Sequence, residues 1–156
     1  GALIGAKVAR CVAAGLTPIV CIGDADPNAD DAERAAIALR QWEEILLGAG
    51  TLGADADALL ASGVIVAYEP IWAIGTGRTA SPQAAATVAA AMRAITGSPA
   101  LRVLYGGSVD AESAATFLRA SNATQLDGRL NGLLIGGASL DAEVLMSIAA
   151  AVGVAS

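Results

Sequence analysis

Two hydrophobic patterns alternate along this chain. Between Leu3 and Ala14 the apolar positions Ile4, Val8, Cys11 and Val12 recur at helical spacing, and Gly15 follows as a stop. Thr17–Ile22 is then a short continuous apolar run, the pattern of a buried strand, closed by Gly23 and Asp24. A polar loop leads to a predicted helix over 30–47, where Ala36, Leu39, Ile45 and Leu46 form an inward stripe beside Trp42. Residues 48–61 read as loop with a short helical turn. The β-branched run Gly63–Ala67 predicts a second strand, and Ser81–Pro82 is the cap and first turn of a helix to about Ile95. Arg102–Tyr105 is a third strand, and Asp110 caps a helix over 111–119. A loop rich in Ser, Asn, Asp and Gly spans 120–131, a fourth strand covers 132–135, and a last helix covers 140–151.

This order, one helix and then four strand-helix units, predicts an α/β fold with parallel strands covered by helices on both faces. In any such fold the C-terminal ends of the strands lie on one edge of the sheet. Glu69, Gly75, Ser108 and Gly136 are therefore expected to converge on one mouth.

Composition narrows the setting. A length of 156 residues suits one domain, 1–156, and no apolar run reaches the ~18 residues of a membrane span, so a soluble protein is expected. A net charge of −6 and scattered basic residues argue against a nucleic-acid surface. A single phosphate remains possible, because backbone amides and helix N-termini can hold one without basic side chains. Cys11 and Cys21 read as two buried thiols in a reducing cytosol. No targeting segment is visible, and the chain opens at Gly1 already inside a helical pattern, as a piece of something longer would. It contains no histidine, which removes a His base, metal ligand or electrophile.

The chemistry centres on Tyr68–Gly77. Glu69 stands at the end of the second strand, followed by the stiff corner Pro70, Ile71 and Trp72 and the tip Ala73, Ile74, Gly75, Thr76 and Gly77. Stiff ends around a glycine-punctuated middle describe a lid, and desolvation beneath it would raise the Glu69 pKa toward that of a base useful at pH 7. The plainer alternative is a solvated loop carboxylate, against which the neighbouring proline and tryptophan weigh. Asp24, also at a strand end, reads as a turn residue or lid partner. Gly106-Gly107-Ser108 and Gly136-Gly137-Ala138-Ser139 follow consecutive strands. One Gly-Gly alone reads as a tight turn; two at one edge let amides approach an anion.

Ala67–Gly77 closely resembles the lid signature of the triosephosphate isomerase family. Leu104-Tyr-Gly-Gly-Ser-Val and Leu133-Leu-Ile-Gly-Gly-Ala-Ser-Leu resemble its two phosphate-site motifs in the right order, and Gly15–Gly23 matches too. The resemblance implies a (β/α)8 barrel that interconverts dihydroxyacetone phosphate and glyceraldehyde 3-phosphate through an enediolate, in the cytoplasm, with no cofactor or metal. It assigns Glu69 as general base, and Gly75, Ser108, Gly136 and Gly137 as phosphate ligands. Tyr105 and Ser108 would hold the lid shut against Ala80 and Gly77. Four strands make only part of a TIM barrel, which needs eight strands and ~250 residues. The match runs from the family's fourth helix through its eighth strand and helix, without the Asn-x-Lys and His-Ser-Glu segments. The isolated chain is thus expected to be nearly inactive, with a complementary N-terminal half-barrel as partner. The alternative is a non-catalytic half-barrel that self-associates as a homo-oligomer or pairs with such a half. Asp24 stands in place of the family's usual Glu, one methylene shorter, which leaves its hydrogen bond to the lid tryptophan open. Arg78 replaces a common Lys, and the 120–131 loop is longer than usual.

Overall fold

The computed structural model describes residues 1–123 and 128–155. Helix α1 (Ala2–Ala13) precedes strand β1 (Ile19–Ile22), then α2 (Asp31–Gly50) and the short α3 (Ala56–Ala61). Strand β2 (Ile65–Tyr68) leads through a 3-10 turn, Ile71–Ala73, to α4 (Pro82–Thr96). Strand β3 (Arg102–Tyr105), α5 (Ala111–Ala123), β4 (Gly132–Leu133), a second 3-10 turn (Gly137–Leu140) and α6 (Ala142–Ala155) complete it. The strands pair in chain order, all parallel, as the strand-helix alternation requires.

Local chemistry sets the helix starts. Asp30 accepts from the Glu33 amide while the Glu33 side chain accepts from the Asp30 amide, a reciprocal cap typically contributing about 1 kcal/mol. Ser81 accepts from the Ala84 amide ahead of Pro82, and Gly97 in the left-handed region ends α4.

In parallel register Val20 pairs with Val66 and Val66 with Val103, while Ile22 pairs with Tyr68 and Tyr68 with Tyr105. These residues form the buried face, packed with Trp42, Ile45, Val88, Met92 and Phe117. The Phe117 ring stacks on Tyr105 at 3.9 Å between centroids.

Helices cover that face alone, which corrects the expectation of cover on both. On the opposite face Ile19, Cys21 and Arg102 are exposed, Ile65, Leu104 and Gly132 are half-buried, and only the small Ala67, between Cys21 and Leu104, is buried. Cys21 is consequently not a buried thiol; Cys11 is half-buried, and both are free. The inward stripe of α2 is also rotated from the predicted one. Ala38, Trp42, Ile45 and Ala49 are buried with Arg34, and Ala36 faces solvent. Helix α2 runs through Gly48 to Gly50, and α5 continues to Ala123, into the predicted loop; 124–127 of that loop lie outside the described residues. Strand β4 is shorter than predicted, yet the Asn131 and Leu134 amides still bond to the Val103 and Tyr105 carbonyls at 2.7 and 2.8 Å.

Candidate active site

Glu69 leaves β2 fixed between the ends of its neighbours. Its amide donates to the Ile22 carbonyl at 2.7 Å, and the Gly106 amide donates to the Tyr68 carbonyl at 2.9 Å. Both flanking strand ends turn at glycine for want of room. A Cβ on Gly106 would lie 2.6 Å from Glu69 Cγ, and one on Gly23 would strike the Glu69 carbonyl. Glu69 is half-buried. The Cys21 thiol, on the open face of β1, donates to Glu69 Oε1 at 3.1 Å.

Partial burial of the sulfur, then this bond and the carboxylate's charge, push the Cys21 thiol up to about 12. An acid whose pKa rises holds its proton longer, so at pH 8 the thiolate fraction is about a thousandfold below that of a thiol at the ordinary value of 9.0. Iodoacetamide is therefore expected to modify Cys21 far more slowly than its exposure suggests. Glu69→Gln, which removes the negative charge, should accelerate the modification; equal rates in the two proteins would contradict the coupling.

The lid is anchored at its N-terminal end by a buried charge cluster. The Asp24 carboxylate accepts from Arg34 Nη1 at 2.6 Å, the Tyr68 hydroxyl at 2.8 Å and Trp72 Nε1 at 3.0 Å. The shorter aspartate thus does reach the lid tryptophan. Its carbonyl also accepts from the Ile71 amide at 2.8 Å. Burial, followed by the Asp24 hydrogen bond and charge, raises the Tyr68 phenol well above its usual range. Burial opposes the charge on Arg34, but its bond to Asp24 prevails and holds the guanidinium above its ordinary pKa. The guanidinium carbons of Arg34 and Arg78 each lie 5.1 Å from the centre of the Trp72 ring.

At the other end of this segment, the Tyr105 hydroxyl accepts from the Ala80 amide at 2.9 Å. Ser108 does not meet Gly77. Its hydroxyl instead donates to the Ala73 carbonyl at 2.6 Å, with its amide at 3.3 Å from the same oxygen. Between these anchors Ile71, Ile74, Gly75, Thr76 and Gly77 are exposed, while Pro70 and Ala73 are buried. The tip is exposed to solvent, and Glu69 is half-buried.

The two glycine turns meet as expected. Gly75, Gly77, Gly106, Gly107, Ser108, Gly136 and Gly137 line one cavity of about 300 Å³. Glu69 lines an adjoining cavity of about 330 Å³ with Cys21, Gly23 and Ile71, and Ile74 borders both. The expected convergence on one mouth is therefore met only in part: Glu69 does not line the cavity of the glycine turns, although its side chain packs against Gly106, which does. Sequence reasoning missed Arg34 and Gln41, whose side-chain amide exchanges 2.8 Å bonds with both the N–H and C=O of Gly23. The available signal for Arg34 was its place four residues before Ala38 and eight before Trp42 on one helical face.

The triosephosphate isomerase family model matches residues 1–152. The chain belongs to the triosephosphate isomerase family. A triosephosphate isomerase of Bordetella pertussis is 41% identical over 152 residues, covering 96% of this chain and 55% of the relative. Those of Xanthobacter flavus and Alcanivorax borkumensis are each 40% identical, over 158 and 153 residues, with 57% and 56% of the relatives covered. The chain spans about half the length of the curated relatives it matches, so it presents part of a triosephosphate isomerase fold. No described helix is long and apolar enough to cross a membrane, and the described residues contain no group of ligands able to hold a metal ion.

Proposed function

We propose that this chain forms the base-bearing half of a triosephosphate isomerase, a single half-barrel unit acting in the cytoplasm on dihydroxyacetone phosphate and glyceraldehyde 3-phosphate. Glu69 takes a proton from the carbon beside the substrate carbonyl, and the electron pair of that C–H bond forms the carbon-carbon double bond of an enediolate as the carbonyl π pair moves onto oxygen. The hydroxyl proton passes from the first oxygen to the second, and the same carboxyl returns its proton to the neighbouring carbon as the first oxygen becomes the new carbonyl. The amides around Gly75, Ser108, Gly136 and Gly137 hold the phosphate, whose negative charge suits converging backbone N–H groups. Pro70–Gly77 close over the substrate, with Tyr105 securing the C-terminal hinge. The chemistry of the reaction calls for no metal or cofactor.

The observation that carries this reading is the position of Glu69 against Gly106, one strand from the glycine cradle on the same sheet edge. The chain supplies no histidine, so the charge growing on the carbonyl oxygen needs donors from a complementary half-barrel. Losing one such donor costs ~10²- to 10³-fold, and losing two about 10⁴-fold or more. The chain alone should therefore turn over triose phosphate at barely detectable rates. Activity is expected to rise in step with complex formation when a fragment of the Bordetella pertussis relative carrying its first four strands and the three helices between them is titrated in; α1 of this chain already supplies the fourth helix. A stable complex without isomerase activity would overturn the catalytic reading.

A further inference from the structure

The open face of the sheet carries its own description of what covers it. Register places Ile19, Ile65 and Arg102 at one level of that face, with Cys21, Ala67, Leu104 and Gly132 at the next. Ile19 is 51% exposed although it lies in a strand of a four-stranded sheet. Among the described residues β1 and β4 each have a strand neighbour on one side only. Beside β1, Ile4, Val8, Leu16 and Ile19 line an open groove of about 540 Å³. At the far end of the sheet α6 exposes Met146. Since the chain spans 55% of the Bordetella relative, the remainder of such a protein is the right size for a second half-barrel.

Lys7 lines the groove beside β1, and on the strands themselves Arg102 is the charged residue of this face. It is exposed, its Nη2 donates to the Gly63 carbonyl at 2.9 Å, and no carboxylate of the described residues is within ion-pair range. Closing the barrel would take this guanidinium out of water, and an isolated buried charge is strongly disfavoured unless it is paired. A second copy of this chain cannot pair it. A two-fold ring of eight strands sets β3 directly across the axis from its mate, because three strands lie between them in either direction. Two Arg102 side chains would then meet in one interior layer, and two Glu69 carboxylates would share the mouth.

We infer that the open face of this sheet receives a different half-barrel, one that presents a carboxylate to Arg102 in the layer at the N-terminal ends of the strands, and that Arg102 discourages self-closure. This rests on the half-barrel reading above. The test uses the whole chain, the same four-strand, three-helix fragment of the Bordetella relative as probe, and sedimentation velocity with titration calorimetry. The wild-type chain is expected to remain monomeric at micromolar concentration and to bind the probe one to one. Arg102→Met should weaken that complex at least about tenfold and shift the chain toward its own dimer, whereas Arg102→Lys, which keeps the charge, should bind like wild type. A circular-dichroism melt of each variant separates lost binding from lost folding. Binding of the probe by Arg102→Met as tightly as by wild type, or a stable wild-type homodimer, would overturn the role of Arg102 and leave the half-barrel reading standing. Failure of the wild-type chain to bind the probe at all would overturn both.

Discussion

Glu69→Gln, assayed in the proposed pairing with a complementary half-barrel, is expected to lower kcat by about a thousandfold, the middle of the range for removing the general base that Glu69 is proposed to be. The amide keeps the shape of the carboxylate, so the backbone bonds from Glu69 to Ile22 and from Gly106 to Tyr68 survive. The glycine cradle lies in its own chamber and is untouched, so KM should stay within a few-fold of wild type. A fall in kcat with constant KM is the mark of a group used in the transition state alone. Steady-state kinetics in both directions checks it, and a loss carried mainly by KM would assign Glu69 to binding.

The second large effect concerns stability. Asp24→Ala removes the shared acceptor of Arg34, Tyr68 and Trp72, and leaves a buried guanidinium without its partner. Breaking a buried pair from one side costs about 3–5 kcal/mol, far beyond the ~1 kcal/mol scale of an exposed ion pair. The cation-π contact of Arg34 with Trp72 offsets only a small part of this. Urea unfolding should show the midpoint falling with an unchanged slope. Asp24→Asn, which keeps one carbonyl acceptor but no charge, should fall between wild type and Ala; an Asp24→Ala protein within 1 kcal/mol of wild type would contradict the cluster's role.

The strand-helix alternation, the caps at Ser81 and Asp110 and the common edge of Glu69, Ser108 and Gly136 were legible because each rests on local chemistry: apolar runs, capping side chains and glycine turns. Alanine hid the phase of α2. A helix with apolar methyls on several sides offers more than one plausible stripe, and packing chose the one through Ala38, Trp42, Ile45 and Ala49. Arg34 drew no reading from the sequence because its partner lies ten positions away at a strand end. The reach of Asp24 could not be judged from side-chain length, since its carbonyl, bonded to the Ile71 amide, draws the base of the lid toward it. The continuous apolar run of β1, Ile19–Ile22, read as a strand covered on both faces, with Cys21 buried. It could not show that no helix lies over the Cys21 face.

The account turns on Glu69 and the glycine cradle being one site, and a substrate titration read at individual amides tests this most directly. With only this chain isotopically labelled inside the paired barrel, dihydroxyacetone phosphate is added while amide shifts are followed. The signals of Ser108, Gly136, Gly137 and Glu69 are predicted to move together with a single dissociation constant. Movement of the glycine-turn signals while Glu69 stays fixed through saturation would contradict the account.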